Sequence, residues 1–173
     1  MARKISRAGL VPYTARERRA TAYHEAGHAV ACLVLGVPFK SVTIKPGANH
    51  DGHIRYDFGS LTNAFLKTWT REQKFAHATQ FLCGALAEDY DQRYRHRKID
   101  PCEGAEDDLM RAARIIQWNS PPDQRDAMRA DFNVAFDRAE ALVKDNFQKI
   151  RKVALALQER VTLTFDEIVT LIG

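Results

Sequence analysis

Thr21-Ala22-Tyr23-His24-Glu25-Ala26-Gly27-His28-Ala29-Val30-Ala31-Cys32-Leu33-Val34-Leu35 reads as one helix, and the rest of the chain is organised around it. Residues four apart on an α-helix stand one above the other on the same face. His24 and His28 can therefore aim two imidazoles at a single ion, with Glu25 beside it. This is the H-E-x-x-H spacing of zinc-dependent peptide hydrolysis. The ion brings the pKa of its water down to about 7, and the carboxylate removes and then returns the proton. A histidine on a buried helix face is also a common hydrogen-bonded core residue, so the surroundings matter. Ala22, Ala26, Gly27, Ala29, Ala31 and Cys32 make this helix narrow enough for another segment to come close. Gly27 costs about 1 kcal/mol in a helix interior, which implies a packing reason for it. These features favour the metal.

Working outward, Thr14-Ala15-Arg16-Glu17 has the form of a capping box, so the helix starts near Ala15, and Gly36 followed by Pro38 stops it. Lys40 to Lys45 alternates polar and apolar residues, as a strand with one buried face does. Pro46-Gly47 is a turn, and His53 to Asp57 reads as a second, shorter strand that pairs with the first or joins a small sheet. His50 and His53 flank a turn and are read as solvent-facing rather than as ligands. Thr70-Arg71-Glu72-Gln73 opens a helix with Phe75, Thr79, Leu82 and Leu86 on one stripe, running to about Tyr90. Arg93, Arg95, Arg97 and Lys98, interleaved with Tyr94 and His96, read as a solvated connector. A loop through Cys102 leads into a helix from Ala105 to Ile116, whose first-turn acids Glu106, Asp107 and Asp108 suit the positive end of a helix dipole. Pro121-Pro122 breaks the chain. Asp123 to about Gln158 then carries a helical pattern as one helix or two, and Thr164-Phe165-Asp166-Glu167 opens a short terminal helix.

A chain of 173 residues has the size of one domain, and 45% apolar with 28% charged residues is ordinary for a soluble globular protein. The longest apolar run, Ala29 to Val37, is far short of the ~18 residues that cross a membrane, and no signal-peptide h-region follows the basic start. The expectation is a soluble, cytoplasmic protein. The net charge of +4 is misleading as a whole-chain value. Arg3, Lys4, Arg7, Arg16, Arg18 and Arg19 oppose only Glu17 near the N-terminus, and the remainder is close to neutral. That distribution argues against a nucleic-acid partner, since no basic face lies outside the tail. Cys32, Cys83 and Cys102 form no C-x-x-C pair, so neither a disulfide framework nor a cysteine metal cluster is indicated. Cys32 and Cys83 sit in apolar helical contexts and read as core residues.

Two histidines do not hold a catalytic zinc, which needs a third protein ligand and one open position. By residue type and position the candidates are Glu88, Asp107, Asp108 and Cys102, and spacing alone does not choose among them. Here the chain resembles the zinc-protease domain of the FtsH family of membrane-bound AAA proteases, over nearly everything from Thr21 onward. His24 to Ala29 match that family's H-E-A-G-H-A, and Ser41 to Pro46 look like its strand ending in proline. Cys83-Gly84-Ala85-Leu86-Ala87-Glu88-Asp89 is similar to its G-G-R-A-A-E-E helix. Gly104-Ala105-Glu106-Asp107-Asp108-Leu109 is similar to its G-A-S-N-D segment, and Glu159 to Ile168 to its last turn and helix. The family's third zinc ligand is the Asp of that segment, so the resemblance implies Asp108. The departures are the Cys83-Gly84 pair in place of two glycines, the stretch from Gln92 to Glu103, and the lack of any Walker A or transmembrane segment within these residues.

The expected fold is therefore a mainly helical α+β domain with the H-E-x-x-H helix and a small two- or three-stranded sheet. A basic flexible tail over residues 1–13 precedes a peptidase domain over 14–173. The resemblance implies a zinc metalloendopeptidase in which His24, His28 and Asp108 bind Zn²⁺ and Glu25 is the general base. The strand from His53 to Tyr56 would pair with an extended peptide. Expected partners are a protein or peptide substrate, a separate ATPase and further copies of the chain. The alternative is a catalytically silent metal-binding or protein-interaction module of the same descent.

Overall fold

A computed structural model describes residues 14–47, 52–57, 63–94, 106–117 and 124–173. The first helix, α1 (Ala15–Leu35), begins where the sequence caps it. The Thr14 hydroxyl accepts from the Glu17 amide at 3.1 Å, and the Glu17 carboxylate accepts from the Thr14 amide at 3.0 Å. Each contact satisfies an amide that a helix start leaves unpaired. Gly36 ends the helix in the left-handed conformation at φ 68°, its N–H donating to the Cys32 carbonyl.

From Ala22 to Cys32, α1 is buried on almost every side, against α3 (Arg71–Tyr94) and α5 (Arg125–Arg160), which also pack on each other. Gly27 has the packing reason its cost implies. A Cβ at that position would collide with the Cys83 carbonyl oxygen and with the Ala87 side chain, so the absence of one lets α3 approach. Phe147 of α5 stacks on Tyr23 at 6.0 Å and lies 4.6 Å from the ring of Tyr90, which joins the three helices through one aromatic cluster. The pattern from Asp123 to Gln158 resolves as a single helix of 36 residues, roughly 54 Å long at 1.5 Å per residue.

A three-stranded antiparallel sheet closes one side. It comprises β1 (Phe39–Thr43), β2 (His53–Tyr56) and β3 (Thr162–Thr164), in the order β2-β1-β3. The sequence indicates the first two strands but not the third. At the end of α5, Val161 adopts φ 67° and throws the chain sideways into β3, and its carbonyl accepts from the Ile44 amide at 2.9 Å. β3 runs directly into α6 (Phe165–Ile172), which opens with the Thr164–Glu167 capping box. A short α2 (Asn63–Thr68) is likewise absent from the sequence reading. Finally, α4 (Glu106–Gln117) lays Ala112, Ile115 and Ile116 against α3 and α5. The architecture is a mainly helical α+β fold, as expected. Among the described residues no helix is long and apolar enough to cross a membrane. The tail over residues 1–13, His50, Cys102 and residues 95–98 of the basic stretch lie outside the described residues.

Candidate metal centre

The i, i+4 spacing on α1 sets the rings of His24 and His28 edge to face, with centroids 4.7 Å apart and planes at 79°. Their Nε2 atoms stand 3.1 Å apart. Asp108, in the first turn of α4, brings Oδ2 to 3.0 Å from Nε2 of His24 and 3.1 Å from Nε2 of His28. Three donor atoms from two helices thus form a near-equilateral triangle. Donors on a tetrahedral zinc at 2.0–2.1 Å stand about 3.3 Å from one another, so the triangle is close to the size that ion requires. His, His and carboxylate are also a donor set that leaves a fourth position open.

Each imidazole is oriented from behind. Nδ1 of His28 donates to the Gln80 carbonyl at 2.8 Å, and a carbonyl can only accept, so the lone pair of Nε2 is left for an ion. Nδ1 of His24 faces Glu88 Oε2 at 3.6 Å. Gly84 of α3 sits against both rings, where a Cβ would collide with Nε2 of His28 and of His24. The triangle exists only because that position has no side chain.

Electrostatics bind the cluster together. Burial opposes a charged His24, but the Asp108 and Glu88 carboxylates outweigh it and raise its pKa to about 10. Burial likewise opposes a charged Asp108, yet the imidazoles of His28 and His24 hold its pKa far below the ordinary carboxylate range. Glu25 is different. It is 6% exposed, and its Oε2 has no hydrogen-bond partner among the described residues. Burial raises its pKa against the pull of His28 and His24. Gly52, just ahead of β2, lies against it, since a Cβ there would fall 2.8 Å from Glu25 Cγ and Oε1.

The alternatives that spacing left open separate in space. Asp108 meets the Nε2 atoms, Asp107 is exposed, and Glu88 lies on the Nδ1 side of His24. His53 is exposed on β2 and takes no part in the triangle. One signal in the sequence could have chosen: Asp108 lies four, seven and eight residues before Ala112, Ile115 and Ile116, on the buried stripe of α4, whereas Asp107 falls off it. Gln80 gave no such signal, because its role behind His28 belongs to its backbone. Its side chain adds a second link, Oε1 accepting from the Tyr56 hydroxyl at 3.0 Å and from Cys32 Sγ at 3.7 Å.

Comparison with known proteins covers the same helices. The model of peptidase family M41 matches residues 12–119, a span that takes in α1 through α4. The chain is also similar to the ATP-dependent zinc metalloprotease FtsH of Thermus thermophilus, at 28% identity over 192 aligned residues. The alignment covers 88% of this chain and 28% of that relative's length. With a family match over more than half its residues and a triad of zinc-type donors on the matched helices, the chain belongs to peptidase family M41, the zinc-protease domain of the FtsH family.

Proposed function

We propose that the chain is a zinc-dependent endopeptidase acting on unfolded or flexible protein segments, with His24, His28 and Asp108 as the metal ligands and Glu25 as general base and then acid. Support comes chiefly from one observation: a buried carboxylate oxygen on Glu25, without a hydrogen-bond partner among the described residues, beside three converging donors. A purely structural metal site has no use for such a group, which costs stability. A base needs one oxygen left open. This weighs against the silent-module alternative.

Zinc, when bound, would supply a Lewis acid that acidifies water and polarises the scissile carbonyl. His24 and His28 contribute neutral Nε2 donors, the second held in its tautomer by the Gln80 carbonyl. Asp108 contributes one negative charge and ties α4 to α1. Glu25 takes a proton at its open oxygen and later delivers it to the leaving amine. Burial makes it a stronger base than a solvated carboxylate. β2 is an edge strand of the sheet and begins against Glu25, so an extended peptide added there passes the catalytic carboxylate. Strand addition demands several residues of extended chain, which restricts cleavage to segments already unfolded or delivered by a separate ATPase. In this reading the peptidase unit spans residues 14–173 and works in the cytoplasm.

The test is metal content together with hydrolysis of unfolded casein, with and without a chelator. One zinc per chain and chelator-sensitive cleavage are expected. Glu25→Gln should keep the zinc and lose the cleavage, and full activity in that variant would sink the assignment. Asp108→Ala should weaken zinc binding far more than Asp107→Ala or Glu88→Ala, and the opposite order would refute the ligand set.

A further inference from the structure

Arg111 lies three residues after Asp108 on α4, one turn further along the same face. Its guanidinium carbon sits 5.6 Å from the centroid of the Phe81 ring. Phe81 is itself packed 6.4 Å from the ring of His28 and 6.0 Å from that of Tyr56. The cation, the metal centre and the edge strand β2 therefore share one aromatic neighbour. Several arginines of the fold have carboxylate partners, Arg19 with Asp91, Arg71 with Asp131 and Arg138 with Glu72. Arg111 is exposed and forms no salt bridge among the described residues, and the carboxylate that feels its charge is the buried one of Glu25. The two nearby acids are committed elsewhere, Asp108 to the imidazoles and Glu25 to a buried position. A guanidinium lying over an aromatic ring is steadied by the ring face, while its planar fork of donors stays available for a carboxylate.

We propose that Arg111 forms a carboxylate-reading subsite beside the metal centre, selecting peptides that carry an acidic side chain or a free C-terminal carboxylate close to the scissile bond. This rests on the peptidase reading above. A substrate laid along β2 adds to the strand whose Tyr56 packs on Phe81, the ring that also carries the guanidinium, and the Arg111 charge reaches Glu25. A bidentate pair with a substrate carboxylate then fixes the register relative to Glu25.

Four fluorescent peptides test it, identical except for Glu against Gln at one position, each with a free or an amidated C-terminus. The zinc-loaded wild-type chain should show a kcat/KM about tenfold higher for the peptide bearing the recognised carboxylate. Loss of the preference on Glu→Gln exchange identifies a side chain as its source, and loss on amidation identifies the terminus. Arg111→Met should abolish the difference between acidic and neutral peptides, and Arg111→Lys should retain part of it. The same peptides are titrated by fluorescence anisotropy into Glu25→Gln protein, with and without the Arg111→Met change. Equal kcat/KM for all four peptides, or a preference that survives Arg111→Met, overturns the subsite. So does a loss in Arg111→Met that is the same for all four, which would mean a contact with the reacting carbonyl instead. Absence of turnover in wild type, with an anisotropy preference that Arg111→Met removes, would refute the peptidase and leave the subsite standing.

Discussion

Replacing Glu25 with methionine should make the metal-free protein more stable while abolishing cleavage. Methionine keeps the unbranched shape and nearly the length of glutamate, so the change removes the carboxylate and little else. In the native fold that carboxylate is 6% exposed, with one oxygen unpartnered among the described residues. Its attraction to His28 and His24 does not offset its burial, since the pKa moves up rather than down. A buried polar group left without a partner costs about 1–3 kcal/mol. For a chain of this size each kcal/mol moves Tm by about 2–4 °C, so the variant should melt about 2–12 °C above wild type. Calorimetry in the presence of a chelator, backed by urea titration, reads the shift, and casein hydrolysis with zinc restored reads the loss of function. A variant that melts below wild type would refute the reasoning, because Glu25 would then be holding the fold together rather than being held in it at a cost.

Two further outcomes follow from the same geometry. Gly84→Ala puts a methyl group where Nε2 of His28 and of His24 now lie. Zinc affinity measured by calorimetric titration should fall at least tenfold while helix content is kept, and wild-type affinity would show that α3 can retreat. His77 is buried and stacked on Trp69 at 3.8 Å, and burial lowers its pKa from 6.5 to about 4. The folded state thus disfavours the proton that the unfolded chain accepts. Its contribution to stability is complete above pH 6.5 and is lost as pH falls to about 4, by up to about 3 kcal/mol at 1.36 kcal/mol per pH unit. The stability difference between wild type and His77→Phe, followed by urea titration across that window, should change accordingly. A pH-independent difference would contradict it.

How much the sequence revealed depended on the range of the interactions involved. The bounds of α1 were legible because a capping box and a left-handed glycine are local chemistry, complete within four residues. The H-E-x-x-H pair was legible for the same reason. β3 was not: three residues carry no periodicity, and they become a strand only because Val42 pairs with Leu163 from the far end of the chain. The unity of α5 is not legible in the sequence, because its pattern names a buried stripe without saying whether the stripe stays straight. Spacing leaves Glu88, Asp107, Asp108 and Cys102 open as a third ligand, and the resemblance points to Asp108. What brings Asp108 to the two Nε2 atoms is the rotation of α4, set by Ile115 and Ile116 packing on other helices. The left-handed turn at Val161 carries no signal at all, since a β-branched residue is among the least suited to it.

The strand order has a consequence for the time at which such a centre could first work. β1 is the middle strand, and one of its two neighbours is made of residues 162–164, about 120 positions later. A two-stranded hairpin alone is marginal in water, so β1 and β2 are not firmly seated while the chain is still being synthesised. At about 5–20 residues per second, the ribosome needs roughly 6–24 s to travel from one partner to the other. Asp108 has emerged well before then, and the triangle of His24, His28 and Asp108 can form while β2 is still loose. Under the proposed peptidase reading, cleavage by a nascent chain would wait until residues 162–164 have joined the sheet.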